Sequence, residues 1–436
     1  MAPHLLRTLM SGSYGMEVVL RIQALLDARC TLSFVRLPSG LYPAANLEGT
    51  DTSSGYQYVW ARDNVYVGWA HWVSGDTESA TGVARALLAF YLKYSARFEA
   101  IIAGDANPGD PGQRPHVRFD GSTLTEISSQ RWAHAQNDAL GYVLWFAAKL
   151  LRNGALPGSS REWETLSLFP RYFEAIRYWE DEDSGHWEEV RKVSASSIGV
   201  VVAALEAWAE VLRGKFVARP AVANRGCDID AVLELAAKGR GALEKILPNE
   251  CIQSDPAKNR TVDAALLFLL YPLQVVTGNL GSQIVSNCEQ HLKGDFGFRR
   301  YVGDSYWAPD YDLKLTAGER TRDFSEDMAF RDAMLPAIGQ EAQWCIFDSM
   351  LSAFYGSRYA LGRDPEDLEQ QTAYLNRALE QITAADDPGP PWRCPELYYL
   401  RRGAYAPNPH LPLQWAQANL MVALHAMIES TKLAKR

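Results

Sequence analysis

Near the middle of the chain two adjacent carboxylates, Glu188 and Glu189, follow Trp187, and carboxylates are groups that can transfer protons. They lie in a glycine-containing turn, and an almost wholly apolar stretch follows at about 196–213. Carboxylates beside an indole ring at the start of a buried helix lose hydration, which raises the pKa of a carboxyl group. Such perturbed groups cluster at functional sites. The same residues could also continue the acidic turn at 180–183, so this stretch alone leaves both interpretations open.

Four other clusters of polar and aromatic residues lie just before, or at the start of, predicted helices. They are Tyr56, Trp60, Arg62 and Asp63; Trp132, Gln136 and Asp138; Arg300, Asp304 and Tyr306; and Pro395, Glu396 and Trp415. Taken singly, Arg62 and Asp63 could be a helix-capping ion pair, and Asp138 could compensate a helix dipole. Glu396 could be an exposed loop acid, and Arg300 could be surface charge. Their common position relative to the helices favours one site.

Hydrophobic periodicity predicts about twelve helices. Their expected ranges are 16–30, a helix from about 63, 77–102, 136–151, 163–180, 196–213, 228–246, a helix from about 262, 279–292, 341–355, 366–383 and 413–430. From the fourth onward the even-numbered helices are apolar on most faces, whereas the fifth, seventh and eleventh carry one charged face. A helix apolar all round is buried, and one with a charged stripe lies at the surface.

This alternation predicts an all-α fold in which an inner ring of six helices lies inside an outer ring of six. We expect a single domain over 1–436, with an irregular arm at 1–15 and long loops at 31–61, 104–130 and 294–338. A helical solenoid would alternate in the same way, but the sequence shows no fixed period. In a ring of parallel inner helices the N-terminal ends meet at one mouth, which would bring the five clusters together.

The composition limits the class of partner. A net charge of −9 argues against nucleic acid and anionic membranes. The 13 Trp and 20 Tyr could stack on sugar rings, but a large core would use them too. The six cysteines are far apart and lack metal-ligand spacing, which is typical of reduced thiols in a cytosolic protein. We see no signal peptide and no apolar run of membrane-spanning length, so we expect a cytoplasmic protein.

Short blocks along the chain resemble glycoside hydrolase family 15, the glucoamylase family, which also includes the amino-terminal domain of the phosphorylase kinase α and β subunits. The blocks, in the family's order, are VWARDN at 59–64, Trp132 with Gln136 and Asp138, HWEEV at 186–190, GFRRY at 297–301, CPEL at 394–397 and LQWAQANL at 413–420. GFRRY and the segment at 194–207 are most similar to the phosphorylase kinase-like branch. The blocks span about residues 55–420.

The resemblance implies an (α/α)6 toroid and inverting hydrolysis, with Glu188 as general acid and Glu396 as general base. Glu189 would be the acidic neighbour that helps to keep Glu188 protonated. Inversion needs room for a water, so the two carboxyl groups should lie about 6.5–9.5 Å apart. The expected substrate contacts are Tyr56, Trp60, Arg62, Asp63, Trp132, Asp138, Trp187, Arg300, Tyr306 and Trp415. This chemistry requires no metal or organic cofactor.

The resemblance therefore predicts an exo-acting α-glucosidase of glucoamylase type, which removes glucose from the non-reducing ends of α-glucans. An α,α-trehalase or an α-1,6-glucosidase could use the same pocket. A regulatory protein that binds glucan without turning it over is the alternative from a different class, and a helical scaffold is a third. Two residues depart from the family pattern: His186 stands where an aliphatic residue is usual, and Leu397 where Gln is common in glucoamylases.

Overall fold

A computed structural model describes residues 2–45, 55–214 and 224–435. In chain order its α-helices are α1 (His4–Arg7), α2 (Met16–Ala28), α3 (Ala61–Val73), α4 (Thr77–Lys93), α5 (Ser95–Ala103), α6 (Asn137–Arg152), α7 (Ser160–Ala175), α8 (Ala195–Arg213), α9 (Ile229–Ile246), α10 (Gly278–His291), α11 (Tyr311–Lys314), α12 (Ala317–Arg320), α13 (Met328–Asp332), α14 (Phe347–Gly362), α15 (Pro365–Glu380) and α16 (Gln414–Ala434). Single 3-10 turns include Gly185–Trp187, and a longer 3-10 helix spans Ala264–Leu269.

The long helices form two concentric rings. Around the inner ring, α3, α6, α8, the 3-10 helix, α14 and α16 each contact the next, and α16 returns to α3. The outer helices α4, α7, α9, α10, α15 and α2 pack, in that order, against these six. The predicted all-α (α/α)6 barrel is confirmed.

The inner helix α8 shows why the alternation of apolar and charged helices predicts this arrangement. Its mean hydropathy is 1.6, and 89% of its apolar stretch is buried inside the fold. By length and composition α8 could cross a membrane. The prediction from the sequence that no apolar run reaches membrane-spanning length was therefore wrong. An inner helix touches protein on every side, and it therefore needs the all-round apolar surface of a membrane span.

Four expectations about the helices require correction. The predicted helix 77–102 breaks at Tyr94, where φ is −111° and ψ is 26°, into α4 and α5. The eighth helix is the six-residue 3-10 helix, which the Asp263 side chain caps and which ends shortly before Pro272. The arm at 1–15 contains α1, whose Leu6 is buried. The predicted loop 294–338 contains α11, α12 and α13.

Two small antiparallel sheets lie at the ends of inner helices. Strand β1 (Val59–Trp60), directly before α3, pairs with β2 (Arg118–Phe119) in the predicted loop 104–130. The second sheet has the order β3 (Gln343–Trp344), β4 (Leu397–Arg401), β5 (Ala404–Pro407). Strand β4 begins directly after Glu396, so this sheet positions that carboxylate. Residues 46–54, part of the predicted loop 31–61, lie outside the described residues.

Candidate active site

One pocket opens where the inner helices begin, and its volume is about 790 Å³ including the open mouth. The sequence-predicted residues that line it are Tyr56, Trp60, Arg62, Asp63, Trp132, Trp187, Glu188, Arg300, Tyr306, Glu396 and Trp415. The five clusters therefore contribute to one cavity, as the ring geometry predicts. Two predicted residues, Asp138 and Glu189, lie behind its wall.

Glu188 follows the 3-10 turn Gly185–Trp187 in a left-handed conformation, with φ of 57°. A non-glycine residue in this region is strained by about 1–3 kcal/mol, and such residues concentrate at functional sites. Its Oε1 accepts hydrogen bonds from Trp60 Nε1 at 2.8 Å, Gln136 Nε2 at 3.2 Å and Arg62 Nη2 at 3.4 Å. Among the described residues the structure gives Oε2 no partner, so that oxygen is free to hold a proton.

Burial raises the pKa of Glu188, and Arg62 and Arg118 oppose the rise without cancelling it. The direction is the one that a general acid needs, because an acid must be protonated at the working pH. The side chain keeps 18% of its surface exposed, and it lines the pocket.

The expected role of Glu189 requires correction. Its side chain turns away from the pocket and is fully buried among cations. Glu189 Oε1 lies 2.8 Å from Arg300 Nη2 and 2.6 Å from Arg331 Nη2, and it accepts a hydrogen bond from Tyr301. Burial would raise the pKa of Glu189, but the arginines outweigh burial and hold it well below its usual range. Its negative charge is neutralised locally, so it anchors the arginines rather than raising the pKa of Glu188.

Asp138 also has a different place from the predicted one. It is fully buried, and its Oδ2 lies 3.0 Å from Arg62 Nη1, which also donates to Gln136 Oε1. Asp138 therefore orients Arg62 from behind, and Arg62 reaches the pocket. Burial alone would lower the pKa of Arg62, but the negative charges of Asp138, Glu188 and Asp63 together outweigh burial and raise it.

His186, which departs from the family pattern, has a packing role. Its ring stacks on Phe268 of the inner ring, with centroids 4.8 Å apart. Its Nε2 lies 3.1 Å from the Tyr142 hydroxyl, and its Nδ1 lies 3.7 Å from Asp138 Oδ2. Burial lowers the pKa of His186 to about 4, so the ring is neutral near pH 7.

Asp63 and Tyr306 supply further polar groups. Asp63 lines the pocket, and burial raises its pKa to about 7 against the opposing effect of Arg62. The Tyr306 hydroxyl lies 3.0 Å from that of Tyr56. Arg300 is held by both oxygens of Asp304, at 2.6 and 2.5 Å, while its guanidinium lies 5.0 Å from the centre of the Tyr306 ring.

Glu396 also lines the pocket, directly before β4, and it is 3% exposed. Its Oε1 accepts a hydrogen bond from Tyr56 Oη at 2.6 Å. Its Oε2 accepts one from Asn408 Nδ2 at 2.5 Å and lies 3.0 Å from His410 Nδ1. Leu397, the second departure, is buried in β4 opposite Trp344.

Several residues at or beside this site were missed by reasoning from the sequence. Arg118 lies buried over the Trp132 ring at 3.9 Å, and burial lowers its pKa to about 10. Further pocket residues come from the predicted loop 294–338 and from β3: Thr321, Arg322, Asp323, Phe324, Arg331 and Trp344. No pattern in the sequence marks these residues, because their places depend on how long connections fold over the mouth. Within the described ranges, no cluster of His, Cys, Asp or Glu could hold a metal ion.

The comparisons with known proteins fit this architecture. The probable phosphorylase b kinase regulatory subunit alpha of Caenorhabditis elegans is 27% identical over 404 residues, which cover 83% of this chain. The chain spans only about 30% of the length of that relative.

Solved structures show the same fold at low sequence identity. A glycosidase variant in complex with glucose superposes with a TM-score of 0.64 at 18% identity, covering 98% of this chain and 99% of that one. The glucoamylase of Saccharomycopsis fibuligera has a TM-score of 0.58 at 12% identity, covering 94% and 96%. The model of the glycosyl hydrolases family 15 matches residues 30–267, more than half of the sequence. The chain belongs to glycosyl hydrolase family 15.

Proposed function

We propose that this chain is an exo-acting, inverting α-glucosidase of glucoamylase type, which hydrolyses α-linked glucose from the non-reducing ends of oligosaccharides or polysaccharides. The observation that carries the proposal is the pair of unlike carboxylates in one pocket. Glu188 has a raised pKa and one oxygen that has no hydrogen-bond partner among the described residues, whereas Glu396 has donors on both oxygens. Pairs of carboxyl groups in contrasting environments serve as acid and base in glycosidases.

In the proposed reaction Glu188 gives its proton to the glycosidic oxygen as the bond to the anomeric carbon breaks. Glu396 takes a proton from a water that attacks the opposite face of the sugar ring, so the configuration inverts. Arg62, Asp63 and Arg300 hold the sugar hydroxyls by charge-assisted hydrogen bonds. The rings of Trp60, Trp132, Trp187 and Trp415 form the apolar part of the wall.

Substrates that differ in their leaving group test these roles. We expect the wild type to release glucose from maltooligosaccharides and to hydrolyse α-glucosyl fluoride, whose fluoride leaves with little help from a proton. Glu188→Gln should lower maltose hydrolysis by about 10²–10⁴-fold and spare the fluoride much more, because only maltose needs the acid. Glu396→Gln should lower both, because both need an activated water. An inactive wild type, or undiminished maltose hydrolysis by Glu188→Gln, would contradict the proposal.

A second candidate function is a regulatory protein that binds glucan without hydrolysing it. The similarity to a phosphorylase kinase regulatory subunit favours it. Calorimetry with maltose or acarbose discriminates between the two. Binding of either ligand by a wild type that releases no glucose from any α-glucoside would support the regulatory function. Trehalose and isomaltose in the same activity assay test the other linkages.

A further inference from the structure

We propose that His410 is a positioning residue for Glu396. Together with Asn408, His410 saturates the Oε2 oxygen of the carboxylate, and this leaves Oε1 as the oxygen that takes the proton from water. This inference rests on the proposed function. It adds a residue that no pattern in the sequence indicates, and it assigns the proton to one atom of the base.

The donor directions follow from the contacts. His410 Nδ1 lies 3.0 Å from Glu396 Oε2 and 3.3 Å from Asn408 Nδ2. An unprotonated Nδ1 would point a lone pair at a carboxylate oxygen, so Nδ1 carries the hydrogen and donates it. The Asn408 amide presents Nδ2 to the same oxygen at 2.5 Å, since its carbonyl oxygen there would repel the carboxylate.

The imidazole is held in place by rings and by the sheet. It stacks on Tyr56 with centroids 3.6 Å apart and planes 20° apart, and it meets Trp307 edge-on at 5.5 Å. His410 is 3% exposed and Glu396 is equally buried. The Asn408 N–H donates to Leu397 O at 3.1 Å, which continues the pairing of β5 with β4. Glu396 directly precedes β4 and Asn408 directly follows β5, so the pairing of these two strands holds the carboxylate and its donors close together.

Counting lone pairs identifies the reactive oxygen. An ionised carboxylate has about four acceptor sites, two on each oxygen. Asn408 and His410 occupy both sites of Oε2, and Tyr56 occupies one site of Oε1. Among the residues that the structure describes, the fourth site, on Oε1, has no donor. A water that is to lose its proton to Glu396 therefore binds there, and His410 acts by keeping the carboxylate in the single orientation that presents Oε1.

Two variants of His410 separate this role from simple packing. His410→Phe keeps a ring against Tyr56 but removes the donor, whereas His410→Asn keeps an N–H near the place of Nδ1. We expect His410→Phe to lower kcat about 10–100-fold on both maltose and α-glucosyl fluoride, with little change in KM. His410→Asn should recover part of that loss. His425→Phe, at a half-buried position on α16 beside Asp27, is the matched control and should behave as the wild type.

A spectroscopic measurement completes the test. In ¹⁵N-histidine NMR of the eight-histidine wild type, His410 should show a protonated Nδ1 whose signal moves in Glu396→Gln. An active wild type with unchanged kcat in His410→Phe, or with an unprotonated Nδ1, would overturn the role of His410 and leave the proposed function standing. A wild type that hydrolyses neither substrate would overturn both.

Discussion

The two candidate catalytic carboxylates differ in which of their oxygens accept hydrogen bonds from neighbouring residues. At Glu188 the three donors meet Oε1, and burial dominates the pKa. At Glu396 donors reach both oxygens. Acid and base chemistry at one pH requires two carboxyl groups in unlike environments. The proposed acid and base roles thus rest on burial and on which oxygen each donor meets.

The Trp60 donor provides a pH-dependent prediction. Its hydrogen bond to Glu188 favours the ionised carboxylate, so Trp60→Phe should raise the pKa of Glu188 further. An acid works only while protonated, and activity therefore falls as pH rises through its pKa. The basic limb of the pH profile of kcat/KM should therefore move to higher pH by about one unit. A hydrogen bond to a charged group contributes about 1.5–3 kcal/mol. Water in the pocket replaces part of this energy, and the remainder corresponds to about one pKa unit.

Trp132→Phe is the matched control. Trp132 lines the same pocket, but its Nε1 has no hydrogen-bond partner within the part of the chain that the structure describes. Its pH profile should keep the wild-type basic limb. A basic limb that stays in place in Trp60→Phe, or that moves equally in both variants, would contradict the assignment of Glu188 as the acid.

The residue types of the site were predictable, but the directions of two side chains were not. Adjacent residues in a tight turn point to different sides, so Glu188 faces the pocket while Glu189 meets Arg300 and Arg331 behind it. Asp138 was assigned to the pocket because it begins α6, yet a buried aspartate needs a cation, and Arg62 supplies one. The separation of these residues along the sequence does not indicate the ion pairs of Glu189 or of Asp138.

The secondary-structure elements were predictable where the hydrophobic period was long. The inner helices α6, α8 and α16 lie close to their expected ranges because each is apolar over many turns. The strands of the second sheet have two to five residues and carry no alternation that separates them from loop. That sheet nevertheless holds Glu396 beside Asn408 and His410, which is why both partners of the base were missed.

Two glycines in α9 test the packing between the outer and inner rings. A Cβ added at Gly239 would lie 2.2 Å from the Tyr178 hydroxyl and 2.5 Å from Val202 Cγ2 of α8, whereas one at Gly241 would meet nothing within 4 Å. Gly239→Ala should destabilise the protein by about 1–3 kcal/mol through overpacking. Gly241→Ala should be neutral or stabilise it by up to about 1 kcal/mol, since Ala favours helix. Equal free energies of unfolding in urea for the two variants would contradict this packing.

For the molecule as a whole, the closed ring explains why residues from 56 to 415 meet in one pocket. Each turn around the ring returns the chain to the mouth at the start of an inner helix, so clusters far apart in sequence become neighbours. The alternation of apolar and charged helices predicts this much. Family membership establishes the fold, but it does not establish that the chain hydrolyses a glucan. One relative is a phosphorylase kinase regulatory subunit, whereas solved structures of the same fold are glycosidases.

The anomeric configuration of the first sugar released tests the central claim most directly. In ¹H NMR of a fresh reaction with an α-linked glucoside, we predict that β-glucose appears first and only later equilibrates with the α-anomer, because in the proposed mechanism Glu396 directs water to the face opposite the leaving group. Both Glu188→Gln and Glu396→Gln should abolish this early signal. Release of α-glucose first, or no release of glucose by the wild type, would contradict the account.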